Sequence, residues 1–188
     1  MNKIDKIINK VVEKQEINQH FEELEINQAT LNNINWENST FDYLEIENSE
    51  ITNSSFANIN LSNQSLYKVK FINCNFVGTN FSSAFIKEVE FIDCNLSYAT
   101  FSMATLEKVV IKDSNLKEGT LYKIKQKDLQ FINCNLDSLD VYNTNLNKID
   151  VTTCNINHIK IDIPSMKGLI VNEEQALALA KFLEIIIK

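Results

Sequence analysis

The chain has 188 residues, which suits one domain or one solenoid with small ends, and its 44% hydrophobic and 23% charged content is that of a folded protein. The formal net charge is −7, and every cation is lysine; with no arginine to fork onto guanine or phosphate, a reader of DNA sequence is disfavoured. No run approaches the ~18 apolar residues of a membrane span and the polar start is no signal peptide, so a soluble cytoplasmic protein is expected.

In chain order, residues 1–18 come first. Ile4, Ile7, Ile8, Val11 and Val12 are spaced as one helical face, which predicts a short N-terminal capping helix.

From Phe21 onward an apolar residue recurs every fifth position: Ile26, Leu31, Trp36, Phe41 and so on to Met166. Of these thirty positions only Gln126 is polar, and the frame never shifts. Neither the helical period of 3.6 nor the strand period of 2 generates such a series. The residue two before each centre is small or apolar (Ala84, Cys94, Ala99, Val109), and the other three of each five are mostly polar. A second period of twenty lies on top: Phe71-Ile-Asn-Cys-Asn75 returns as Phe91-Ile-Asp-Cys-Asn95 and Phe131-Ile-Asn-Cys-Asn135. Four five-residue sides per coil make a square tube with two residues in five inside. Each inward Phe is expected to stack on the residue twenty away, at the ~4.8 Å spacing of strands. Asn residues just before the centres (Asn75, Asn95, Asn115, Asn135) are placed for ladders between coils. The inner corner is expected to need a small residue, and the scarcity of glycine (three) predicts turns without special dihedrals.

This pattern resembles the pentapeptide-repeat family over roughly residues 19–168. The resemblance implies an all-β solenoid: a right-handed quadrilateral β-helix of pentapeptide repeats, four per coil, here with short helical caps at both ends.

Between Gln15 and Tyr67 there is no lysine, yet nine acids. Mapped on the square coil, Asp42 lies over Glu22 and Glu45 over Glu25, with Glu23 and Glu47 around the same corner and Glu37 and Glu50 nearby. Like charges stacked across a ladder cost ~0.2–1 kcal/mol a pair. A fold that carries that cost is using the field, or merely keeping an acidic face for solubility. Farther along, Leu121–Asp128 is the one irregular stretch, with Gln126 in an inward slot and Lys108, Lys112, Lys117, Lys123, Lys125 and Lys127 around it.

Little here points to chemistry. Cys74, Cys94, Cys134 and Cys154 share one inward column, which cannot converge on a metal or meet disulfide geometry. His20 and His158 sit at opposite ends. No phosphate loop, nucleophile elbow or paired-carboxylate cleft is present, so no enzyme, metal, cofactor or small-molecule substrate is expected.

After Pro164 the period ends. Asn172 is a good N-cap with Gln175 at the capping-box position, and Ala176, Leu179, Ala180 and Leu183 make an apolar face beside Leu177. The run Gly168, Leu169, Val171, Asn172, Gln175, Ala176, Leu179, Ala180, Leu183, Ile185 is similar to the closing segment of the quinolone-resistance (Qnr-like) branch. That resemblance implies that residues 169–188, with Leu169, Val171, Ala176, Leu177, Leu179, Ala180, Leu183, Ile185 and Ile187, form a homodimer interface. It further implies a DNA mimic that binds DNA gyrase or topoisomerase IV through the acidic corner and protects them from fluoroquinolones, without touching nucleic acid or membrane itself. The unbroken frame leaves no room for the loops many members carry. The alternative is an adaptor solenoid for another protein partner.

Overall fold

The computed structural model describes residues 4–15 and 20–183. Among the described residues there are fifteen strands, most of them two to five residues long because each side of the coil is five residues long. They are β1 (Ile4–Ile8), β2 (Val11–Gln15), β3 (His20–Asn27), β4 (Thr30–Ile34), β5 (Thr40–Thr52), β6 (Ser65–Ile72), β7 (Phe85–Lys87) and β8 (Glu90–Ile92). There follow β9 (Thr105–Glu107), β10 (Val110–Lys112), β11 (Thr120–Tyr122), β12 (Lys125–Lys127), β13 (Gln130–Ile132), β14 (Asp140–Tyr142) and β15 (Lys160–Ile161). All pairings are parallel, and from β3 onward each joins residue i to i+20, as in Ile26↔Ile46, Phe71↔Phe91 and Leu121↔Val141. The chain is therefore a parallel β-solenoid with the four-sided coil that the twenty-residue period predicts.

The core is a continuous column of the predicted centres. Phe56 stacks on Phe76 at 4.9 Å and 7°, and Phe81 on Phe101 at 4.8 Å and 7°. Neighbouring sides meet edge to face, as Phe71 and Phe76 do at 5.0 Å and 90°, the arrangement aromatic quadrupoles favour. Asn ladders run as expected outside: Asn135 donates to Asn115 at 2.9 Å and Asn155 to Asn135 at 2.9 Å.

Three expectations are corrected. The N-terminal capping helix of residues 1–18 is absent from the described part, where β1 and β2 form strands that extend the ladder onto β3 and β4; residues 1–3 and 16–18 lie outside it. The offset there is nineteen (Ile7↔Ile26, Val12↔Leu31), one short of the coil period. The inner corner need not be small: Leu24, Leu44, Leu129 and Leu139 fill it and are buried. Where it is polar, the side chain bonds the neighbouring coil's backbone, as when Leu44 N donates to Gln64 Oε1 at 2.7 Å and Thr79 Oγ1 to Phe56 O at 2.7 Å.

The turns do use special dihedrals. Among the described residues twenty-five that are not glycine have φ between +47° and +67°, and after Asn9 every one lies two positions past a centre. Most residues pay ~1–2 kcal/mol for this left-handed conformation, and Asn and Asp tolerate it best. Asn53, Asn73, Asp93, Asp113 and Asn133 hold the slot on one side, so Asn and Asp do here what glycine does elsewhere. Asn73 (φ +52°) also donates to Asn53 at 2.7 Å. Asn73→Val is expected to lower stability by about 1–2 kcal/mol through the dihedral alone, read by urea unfolding, with Asn73→Gly markedly less costly.

At the C-terminal end α1 (Ile163–Met166) replaces one side of the last coil, and α2 (Glu173–Ala180) closes the tube. Asn172 and Gln175 form the predicted capping box, with Gln175 N donating to Asn172 Oδ1 and Asn172 N to Gln175 Oε1, each at 2.9 Å. The Gln175 Nε2 amide then reaches into the open end and donates to Val151 O and Cys154 O, both at 2.8 Å.

Candidate interaction site

The acidic corner is built by two long strands. β3 and β5 run through it without the left-handed turn that breaks other sides, since neither Glu23 nor Tyr43 has positive φ. The register brings Glu25 against Glu45 and Glu23 against Tyr43, with Glu22 and Asp42 in the same +20 relation. Six of the eight predicted acids (Glu22, Glu23, Glu25, Asp42, Glu45, Glu47) thus share this corner. Glu50 is on the next side, facing Lys70 in the ladder, and Glu37 stands apart on the next coil side before Phe41.

Sequence reasoning missed two neighbours. The register of β1 puts Lys6 beside Glu25, with Nζ 2.6 Å from Oε2, and His20 Nε2 lies 3.6 Å from Asp42 Oδ2. Five-residue counting could not find Lys6, because the first coil is one residue short. Tyr43 donates to Glu45 Oε2 at 3.1 Å. Burial, that hydrogen bond, and the charges of Glu45, Glu25 and Glu23 hold its phenol above the ordinary tyrosine range. Among the described residues neither Glu45 nor Glu47 has a cation within ion-pair distance, and the Glu47 carboxylate accepts from Asn27 at 3.5 Å.

The second predicted surface is an apolar groove of about 660 Å³ at the C-terminal end. Leu169, Val171, Ala176, Leu179, Ala180 and Leu183 line it, together with Pro164 and Met166. Leu177 lies outside the lining and is 60% exposed. Ile185 and Ile187 lie outside the described residues.

At the irregular stretch, Gln126 is half-buried and its Nε2 donates to Asn145 O at 3.0 Å. No strand pairing joins β12 or β13 to the following coil among the described residues. That coil bonds onward instead, Lys148 N to Gly168 O and Val151 N to Ile170 O.

The cysteines are free and buried in one column. Cys134 donates to Ile111 O at 3.1 Å, and its contact with Cys154 and burial push its thiol up. Among the described residues no cluster of three or more His, Cys, Asp or Glu is placed to hold a metal, and no helix is long and apolar enough to cross a membrane. His20 and His158 are exposed, and His158 Nδ1 donates to Asp137 Oδ1 at 2.8 Å.

The chain matches the family model described as pentapeptide repeat region over residues 46–121. Among solved structures it is similar to QnrB1, a plasmid-mediated fluoroquinolone resistance protein, at 15% identity and TM-score 0.42 over 96% of this chain and 100% of that one. It is also similar to HetL, a pentapeptide repeat protein involved in heterocyst differentiation regulation from the cyanobacterium Nostoc, at 13% identity and TM-score 0.34 over 89% and 90%. A pentapeptide repeat protein from the Arabidopsis thaliana thylakoid lumen matches at 16% identity and TM-score 0.30 over 68% and 72%. No curated protein matches in sequence.

Proposed function

We propose that the chain, which matches the pentapeptide repeat region model over residues 46–121, acts as a non-enzymatic, DNA-mimicking partner of type II topoisomerases, protecting DNA gyrase or topoisomerase IV from fluoroquinolones. The observation that carries this reading is the stacking of Glu25 on Glu45, with Glu22, Glu23, Asp42 and Glu47 around one corner. Carboxylates repeating at the ~4.8 Å coil spacing on a stiff rod offer a basic DNA-binding channel a surrogate for phosphates at ~3.4 Å per strand. The similarity of the closing segment to the Qnr-like branch supports the same partner. The groove along Leu169, Val171, Leu179 and Leu183 supports a homodimer, since two copies meeting there would cover the apolar surface of both.

One observation favours the second reading, an adaptor for another protein partner. The stacked acids of this corner are confined to the two coils of β3 and β5, and the same face turns basic at Lys125 and Lys127, unlike a duplex.

The test is gyrase supercoiling in the presence of a fluoroquinolone, titrating in the protein. Rescue is expected, and Glu22→Lys/Glu25→Lys/Asp42→Lys/Glu45→Lys is expected to weaken it at least about tenfold, the effect of reversing several steering charges. Absence of rescue and of inhibition by a folded protein transfers the assignment to the adaptor reading.

A further inference from the structure

One face of the tube carries an unbroken ladder through β1, β3, β5, β6, β7, β9 and β12. Its outward columns can be read rung by rung. The first runs Glu25, Glu45, Ser65, Phe85, Thr105, Lys125. The second runs Asn27, Glu47, Tyr67, Lys87, Glu107, Lys127. The first starts acidic, ends basic and passes at mid-length through Phe85, which is 43% exposed; the second carries Glu47 toward its start and Lys127 at its end.

The charges left without partners are matched. Glu25 is satisfied within the chain by Lys6, and Lys87 by Glu107 at 3.4 Å. Glu45 and Glu47 have no cation, and Lys125 and Lys127 have no carboxylate, within ion-pair distance among the described residues.

We propose that this face is a self-complementary surface on which a second copy of the chain lies side by side and antiparallel, with the two-fold axis passing beside Phe85. Glu45 is two coils before Phe85 and Lys125 two coils after it, so such an axis sets Glu45 against the partner copy's lysine at 125. By the same register Glu47 meets the lysine at 127, Ser65 meets Thr105, and Phe85 meets its own copy. The one like-charged meeting, Lys87 with Lys87, is neutralised on both sides by Glu107. An isologous contact with an aromatic centre and a charged rim has the anatomy of a specific interface. Spanning little more than one side of a narrow rod, it belongs at the small, weak end of the range, dependent on concentration and salt. The inference does not rest on the topoisomerase reading; it adds that self-pairing covers Glu45 and Glu47 and so competes with any other partner of that corner.

Sedimentation of the full chain at about 20 mM and about 500 mM salt tests it. A step of association beyond any end-to-end dimer is expected at low salt and lost at high salt. Glu45→Lys is expected to weaken it about tenfold, and Glu45→Lys/Lys125→Glu to restore it, because the swap exchanges the ends of both contacts. Phe85→Cys, oxidised at low salt, is expected to give a covalent pair. The C-terminal groove is untouched by these substitutions, so an end-to-end dimer would persist through all of them. Absence of any salt-sensitive step of association, a double swap no better than the single, or no Phe85→Cys link each overturns the proposal. So does a monodisperse chain whose Lys125 and Lys127 instead bind a duplex oligonucleotide.

Discussion

Phe91→Ala is expected to cost about 3–5 kcal/mol of folding free energy, enough to unfold the middle of the rod near physiological temperature. Phe91 is fully buried and lies flat on Phe71, 5.3 Å away and 10° from parallel. It also meets the edges of Phe76 at 5.4 Å and Phe81 at 6.3 Å. Truncation removes ring contacts on three sides, and the cavity cannot collapse, because the backbone around it is fixed by ladder bonds to coils above and below. Each coil touches only its neighbours, so the damage is local in structure yet splits the array into two shorter ones. Urea unfolding should show a lowered midpoint together with loss of a single cooperative transition. Hydrogen exchange should be fastest around residues 71–111. A uniform loss of protection along the whole chain would contradict a nearest-neighbour solenoid.

Gln175→Leu is expected to cost on the order of 3 kcal/mol although the side-chain volume is nearly kept. The Gln175 amide satisfies Val151 O and Cys154 O from within a buried site, and its Oε1 accepts the Asn172 N–H. Leucine leaves Cys154 O and the Asn172 N–H without these partners and Val151 O with only the bond from Cys154 N at 2.9 Å, at ~1–3 kcal/mol for each buried group left unpaired. Gln175→Glu is expected to be no remedy, since it aims carboxylate oxygens at the same two carbonyls. The readout is the thermal midpoint, together with exposure of the end of the core to a hydrophobic dye. Equal stability of Gln175→Leu and the natural chain would mean that water reaches those carbonyls and that α2 does not seal the tube.

The five-residue series made the tube legible from sequence, because only one fold turns every fifth residue inward while keeping its neighbours out. The twenty-residue echo of Phe71-Ile-Asn-Cys-Asn75 gave the coil length and hence Glu25 under Glu45. Failures came where the arithmetic slipped. Ile4, Ile7, Ile8, Val11 and Val12 fit a helical face as well as two strand sides, and the missing residue in the first coil concealed the continuation; with it went Lys6 beside Glu25. The left-handed slot was legible in principle, since Asn or Asp stands two past the centre at Asn33, Asn53, Asn73, Asp93 and Asp113. It was obscured by Lys68, Tyr98 and Met103, which hold the same φ because their neighbours leave them no other. The groove at the C-terminal end was visible as composition, but which of its leucines face inward was not: Leu179 is buried and Leu177 is not.

The strict +20 register makes the surface of this protein an indexed object. Inserting or deleting five residues between Glu45 and Lys125 would leave every centre in phase and the core filled, yet rotate everything downstream by a quarter turn. Acidic and basic patches would then point in directions 90° apart. Adding or removing twenty would instead keep them on one side and change their separation by a single step of ~4.8 Å. Length and bearing are therefore independent settings in such a rod. Evolution by tandem duplication can alter the reach of a surface without turning it, but only in increments of a whole coil.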